Sequence, residues 1–143
     1  MKAKKLTASQ VREVLGKIHF ADLLGVRLSA LHRDGLTLEC SVRKNLLNSA
    51  AVMHGGVAAT LADAAAGVAL HYLLASHRPV TTVEMKINYF RPVSSGRIFA
   101  RAHMLRMGAT ICVARVDISG EQRKPVGVAI VTYMILPGRA SAS

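Results

Sequence analysis

One acid stands in the middle of an apolar stretch. From Gly56 to Ala75 the chain is mostly Ala, Gly, Val and Leu, and Asp63 is the single carboxylate within it. An acid in such surroundings costs free energy, so it calls for a structural or a catalytic reason. Just ahead stands His54-Gly55-Gly56, where a helix should begin. The first N–H groups of a helix have no acceptor inside it and carry the positive end of its dipole, and glycines let a ligand come close. Such a start binds an anion or a developing oxyanion, and losing one donor of this kind costs on the order of 3 kcal/mol of transition-state stabilisation. Taken alone, a Gly-Gly pair also serves simply to start a helix.

Spacing adds a constraint. At a rise of ~1.5 Å per residue, Asp63 lies about 12 Å along the axis from Gly55, too far for both to touch one reacting carbonyl within a single chain. If they cooperate, they come from different subunits. An antiparallel pair of these helices about a two-fold axis would make two identical sites. Gly56, Ala59, Thr60, Ala66 and Gly67 lie on the same stripe as Asp63, and small residues let a second element approach closely. From the helix alone, a structural Asp that caps a loop or pairs with an Arg explains the acid as well as a catalytic role does.

The elements that must position these groups follow from hydrophobic period. Thr7, Ser9, Val11, Val14, Leu15 and Ile18 predict a capped amphipathic helix over about 7–20. Leu36, Leu38, Cys40 and Val42 alternate with polar residues and predict a strand, with a hairpin partner at Leu28–His32 across the Asp34-Gly35 turn. After the long helix, Arg78-Pro79 marks a break, and strand-like runs follow at about 81–91, 98–106, 109–119 and 126–136. Short turns between them predict an antiparallel meander, and a helix apolar nearly all round must be enclosed by that sheet. The expectation is an α+β fold in one domain over residues 1–143, with a flexible tail at about 138–143.

Composition narrows the classes of function. The 143 residues, 51% hydrophobic, suffice for one core, and 4% aromatic content with no Trp argues against a base-stacking platform. A net charge of +11 suits an anionic partner, although a solvated basic surface explains it equally well. Cys40 and Cys112 have neither metal-ligand nor disulfide-framework spacing, and the remaining histidines show no metal spacing. The N-terminus is basic without a following apolar run, which argues against a secretory signal. An acid near the middle of the long helix costs roughly 2.5–3.5 kcal/mol in lipid, so a buried helix of an intracellular, cytoplasmic protein is expected.

The combined pattern of Asn48, His54-Gly55-Gly56-Val57, Thr60-Leu61-Ala62-Asp63, the run Val83 to Pro92 containing Asn88-Tyr89-Phe90-Arg91-Pro92, and Gly108-Ala109-Thr110 resembles the hotdog-fold acyl-CoA thioesterases of the phenylacetate-degradation type. The resemblance covers about residues 20–136. It implies a sheet wrapped around the central helix, protomers paired into a continuous sheet, and dimers associated into homotetramers. It implies hydrolysis of aryl- or medium-chain acyl-CoA, with Asp63 as base or nucleophile and the partner's Gly55 N–H polarising the carbonyl. Asn48 and His54 match positions that hold substrate or water, and Thr82 matches a hydroxyl that orients the attacking water.

Two departures stand out. Relatives of this type commonly carry Gly where Ala51 stands here, which bears on the loop that enters the helix. Thr82 shares strand parity with Glu84, Lys86 and Asn88, so in a regular strand it would face away from Met85 and Ile87. Substrate binding is assigned to Gly56 and to Arg91 and Arg106, the best-placed cations for coenzyme A phosphates. No metal or redox cofactor is required, and neither nucleic acid nor membrane is expected as a partner. The competing readings are a non-catalytic acyl-CoA-binding module of the same fold, and a hydratase, for which His71 lies at a poor spacing from Asp63.

Overall fold

The computed structural model describes residues 4–138, so most of the expected tail, residues 139–143, lies outside the described residues. The chain runs α1 (Ala8–Gly16), α2 (His19–Leu24), β1 (Arg27–His32), β2 (Gly35–Ser41), α3 (Gly55–Leu74), β3 (Val80–Tyr89), β4 (Arg97–Met107), β5 (Ile111–Ser119) and β6 (Pro125–Ile135). One antiparallel sheet holds all six strands in the order β1-β2-β4-β5-β6-β3. The sheet curls around α3.

Alternation supplies the core. On β2 the buried residues are Leu36, Leu38 and Cys40; on β5 they are Cys112, Ala114, Val116 and Ile118. These inward rows meet Leu61, Val68 and Leu70 of α3, each at most 1% exposed. A fully buried side chain of this size contributes about 1.5–3 kcal/mol, and from Ala64 to Leu70 the helix is enclosed on every side. Its alanines bring the sheet close.

Two expectations need correction. The single helix over 7–20 is two helices, because Ile18 adopts an extended conformation (φ −87°, ψ 90°) between them. Thr7 does cap α1, in a reciprocal box with Gln10, and Val11, Val14 and Leu15 bury against the core. The break turns the chain so that Ala21 and Leu24 of α2 bury as well, and Gly25 closes α2 in the left-handed region at φ 74°.

The meander, expected over four strands, holds only for β4, β5 and β6. Strand β3 pairs with β6 at the far edge instead of with β4. The link between Tyr89 and Arg97 is too long for a hairpin and crosses the end of the sheet. It is pinned there by Phe90 N to Val126 O (2.7 Å), Met53 N to Val93 O (2.7 Å) and Val42 N to Gly96 O (2.8 Å). Chemistry-bearing β3 is thereby left as an edge, paired on one side only.

At the turn between β1 and β2, Asp34 accepts hydrogen bonds from Arg101 and from His103 Nδ1 on β4. Burial, the largest influence, acts to raise the Asp34 pKa, but the Arg101 and His103 donors and charges together outweigh it and lower it from 3.8 to about 2. A depressed carboxylate stabilises the fold above its unfolded value and loses that contribution as pH falls through the folded one. With the side chain 46% exposed, solvent screening holds the effect to about 1 kcal/mol or less. Asp34→Asn should therefore lower Tm by a few degrees at pH 7. The gap between the two proteins should close as pH falls from about 4 to 2; a gap independent of pH would contradict this assignment.

Candidate active site

The helix start is built as its residues require. His54 is the N-cap of α3, in extended conformation (φ −61°, ψ 135°), and its Nδ1 accepts the Gly56 N–H at 2.8 Å. That bond places the proton of the neutral ring on Nε2. A Cβ at Gly56 would lie 2.9 Å from His54 Nδ1, so glycine there makes the cap possible. The Val57 N–H is taken by His54 O at 3.0 Å. Of the first-turn donors only the Gly55 N–H has no acceptor among the described residues, and Tyr89 Oη donates to the Gly55 carbonyl at 2.8 Å from the side. The structure thus separates two glycines that the sequence presents as a pair. Gly56 serves the cap, and Gly55 keeps a free donor.

Asn48 shapes the loop in front. Its Oδ1 accepts from Ala50 N at 2.9 Å and from Val52 N at 3.3 Å, while its own N–H donates to Val52 O at 2.7 Å. The side-chain oxygen is committed to the turn, which leaves the amide Nδ2 available. Ala51, where the pattern favours glycine, has φ 60°, a region an L-residue with a Cβ occupies at a cost of about 1–2 kcal/mol.

Asp63 lies at the border of the core and the opening. Its Oδ1 accepts from Thr82 Oγ1 at 2.8 Å and lies 2.7 Å from Tyr133 Oη. The Asp63 carboxylate makes no ion pair among the described residues, so the Arg-pairing explanation falls away. Its Oδ2 has no protein partner among them. Thr82 reaches it because β3 carries a bulge between Thr82 and Glu84. Val83, 54% exposed, is the extra residue, and it flips the parity of everything before it. Thr82 therefore pairs with inward-facing Tyr133, as Met85 pairs with Val131.

Tyr133 was not singled out by sequence reasoning, although two signals were present. It occupies the inward parity of β6 with Ala129 and Val131. Gly67, one turn beyond Asp63, makes room for it: a Cβ there would lie 2.7 Å from the phenol oxygen. Burial, then the Asp63 charge, push the phenol pKa well above its ordinary value, so it keeps its proton at any working pH.

A groove of about 500 Å³ opens beside Thr82 and Tyr133, lined by Val14, Ile18, Ala64 and Gly67, with Lys17, His71 and His77 also along it. A second, of about 350 Å³, adjoins Gly55 and includes Met53, Tyr89 and Arg91. Arg91 and Arg106 sit at opposite ends of the sheet, as the strand registers require: Tyr89 pairs with Gly127 at one end, and Met107 with Cys112 at the other. Within one protomer, then, Asp63, Thr82 and Tyr133 form one cluster, while Gly55 and Arg91 line the second groove, with His54 capping the same helix start and Asn48 in the loop ahead of it. Gly56, Ala59, Thr60 and Asp63 on the stripe between them are not fully covered by their own chain.

Comparison with known proteins gives a consistent result. A family model described as "Thioesterase superfamily" matches residues 50–126. The medium/long-chain acyl-CoA thioesterase YigI of Escherichia coli is 27% identical, over 91% of this chain and 97% of its own. Acyl-coenzyme A thioesterase 13 of Mus musculus is 32% identical, over 78% of this chain and 81% of its own. Among solved structures, a thioesterase from Haemophilus influenzae superposes with a TM-score of 0.87 at 26% identity, covering 98% of this chain and 97% of that one. A Pseudomonas aeruginosa thioesterase gives 0.85 at 27%, covering 94% and 96%.

The strained loop residue yields a test independent of activity. Ala51→Gly should relieve the left-handed backbone and, after glycine's larger unfolded-state entropy is subtracted, stabilise by about 0.5–1 kcal/mol. Thermal denaturation should show Tm raised by a few degrees. An unchanged or lower Tm would mean that the loop bears no such strain.

Proposed function

The chain belongs to the thioesterase superfamily and is a hydrolase of thioesters, and from that premise we propose that it cleaves aryl- or medium-chain acyl-CoA at a site shared between two protomers. The observation that carries the proposal is the pairing of a carboxylate with one unoccupied oxygen, Asp63 Oδ2, with the free helix-start donor of Gly55 about 12 Å away on the same helix. The two groups cannot meet on one carbonyl within a chain. An antiparallel partner helix resolves this.

Several features favour that partner. Strand β3 is a ten-residue edge, and a long unpaired edge is a template for another strand. Two β3 edges joined about a two-fold would continue the sheet and lay the uncovered stretch of one α3 along that of the other. Asp63, Thr82 and Tyr133 of one protomer would then approach Gly55, His54, Asn48 and Arg91 of its partner. The outward residues of β6, Val128, Ile130 and Met134, are unusually apolar for a face away from the core, which suits a second dimer packed against the sheet as in a homotetramer.

In the reaction, Asp63 Oδ2 takes a proton from a water whose oxygen attacks the thioester carbon. The carbonyl electron pair moves onto oxygen, where the partner's Gly55 N–H stabilises the charge. Collapse of the tetrahedral adduct expels the CoA thiolate, which takes up the proton from Asp63, and the products are the free acid and CoA. Direct attack by Oδ2, giving an anhydride that water then opens, uses the same oxygen and the same donor. His54 Nε2–H and Asn48 Nδ2 are donors left for the substrate. The apolar groove beside Thr82 and Tyr133 suits the acyl group, and Arg106 of that protomer with Arg91 of its partner, which a two-fold would bring to the same end, suit the phosphates of CoA.

Release of CoA thiol from a panel of aryl- and fatty-acyl-CoA esters tests the reading. Asp63→Asn should lower turnover by about 10³-fold or more with the oligomer intact. Gly55→Pro is a sharper test: proline is well accepted at the first helical position and removes only the N–H, and the extended His54 in front of it is what proline requires. Its ring must ease Tyr89 aside, because a Cβ at Gly55 lies 3.2 Å from that side chain. Turnover should fall by about 10²–10³-fold while Tm changes little. A native protein that binds acyl-CoA but turns over no ester would instead make this a binding module.

A further inference from the structure

We propose that Tyr133 is a positioning residue for the Asp63 carboxylate: together with Thr82 it fixes one carboxylate oxygen and leaves the other as the single reactive one. The inference rests on the reading of Asp63 as base or nucleophile.

The geometry is specific. The phenol has one proton and two acceptors at 2.7 Å, the main-chain oxygen and Oδ1 of Asp63. The main-chain oxygen already lies within the helix ladder, whereas Oδ1 carries charge, and charge-assisted hydrogen bonds are roughly twice as strong as neutral ones. The proton therefore belongs chiefly to Oδ1. Thr82 donates to that same oxygen from the neighbouring strand at 2.8 Å. Two hydroxyls from β3 and β6 thus converge on one oxygen of a residue on α3.

That convergence has a consequence. The carboxylate plane is held from one side, so Oδ2 points to a fixed place instead of sampling rotamers, and catalytic carboxylates gain rate from such fixing. Tyr133 cannot readily act as an acid itself, because burial and the adjacent charge hold its proton tightly. The other titratable side chains around the same groove, Lys17, His71 and His77, make no hydrogen bond or ion pair with Asp63. Neither do Glu84 and Lys86 on the remainder of β3.

Two other features accommodate this arrangement. Gly67 ends a run of alanines where a Cβ would lie 2.7 Å from Tyr133 Oη. The bulge at Val83 brings Thr82 opposite Tyr133.

A stitch between β6 and α3 would also explain the bonds, and the two roles separate experimentally. Tyr133→Phe keeps the ring and removes the hydroxyl. Positioning predicts that kcat for the best acyl-CoA falls about 10- to 100-fold with KM within about twofold, as loss of a hydrogen bond to a charged group implies. If Tyr133→Phe does not fold, site-specific 3-fluorotyrosine at 133 preserves the shape and alters only the donor strength, and it should change kcat with KM near native. A lowered Tm with kcat unchanged would overturn the proposal. Asp63→Asn measured in parallel separates the failures: if it leaves turnover intact, the reading of Asp63 falls; if it abolishes turnover while both Tyr133 variants behave as native, only the role of Tyr133 falls.

Discussion

A charge in an apolar helix has to be stabilised by donors, and the arrangement around Asp63 is organised to provide them. An isolated carboxylate in such a place is expensive. Two hydroxyls bring the cost down without cancelling the charge, which a paired arginine would do. To deliver them, β3 needs its bulge at Val83, β6 needs an inward tyrosine within a small aliphatic row, and α3 needs a glycine at 67. The Ala-rich helix then reads as the condition for close approach by the sheet. Each of these choices weakens something locally, in strand pairing, core volume or helix propensity, and all serve one oxygen pair.

The second constraint is the length of α3. The helix start and the acid use the same element but lie too far apart to act together. In this chain the two first-turn glycines have divided the work, with Gly56 committed to the His54 cap and Gly55 left with a donor. The partly uncovered stretch of α3 and the unpaired edge of β3 are the two surfaces that the proposed dimer would use.

Much of this was legible in the sequence, and the reasons for the rest are physical. Every strand was located to within one or two residues. Period-two alternation found β2, β4, β5 and β6, because one face of each is buried. The turn and break residues that bound them found β1 and β3, which carry no fully buried residue. The acid, the His-Gly-Gly start and the 12 Å consequence needed only helix geometry. Strand order was misread because alternation says which face is buried and nothing about which neighbour a strand takes. The break at Ile18 was hidden because the apolar spacing continues through it. Thr82 faced the wrong way on parity alone, since a bulge leaves no composition signal. Tyr133 could have been found by asking what fills the space above Gly67.

The most direct test of a site shared between protomers is complementation. Asp63→Asn chains and Gly55→Pro chains, each nearly inactive alone, would be unfolded together and refolded as a mixture, and CoA release compared with native protein treated the same way. If Asp63 of one chain works with Gly55 of the other, each mixed dimer has one site with both groups intact and one with neither. Random assortment should then restore about a quarter of native activity. Activity no higher than the sum of the two parents, with mixed dimers demonstrably present, would place both groups of each site on one chain and contradict the shared site.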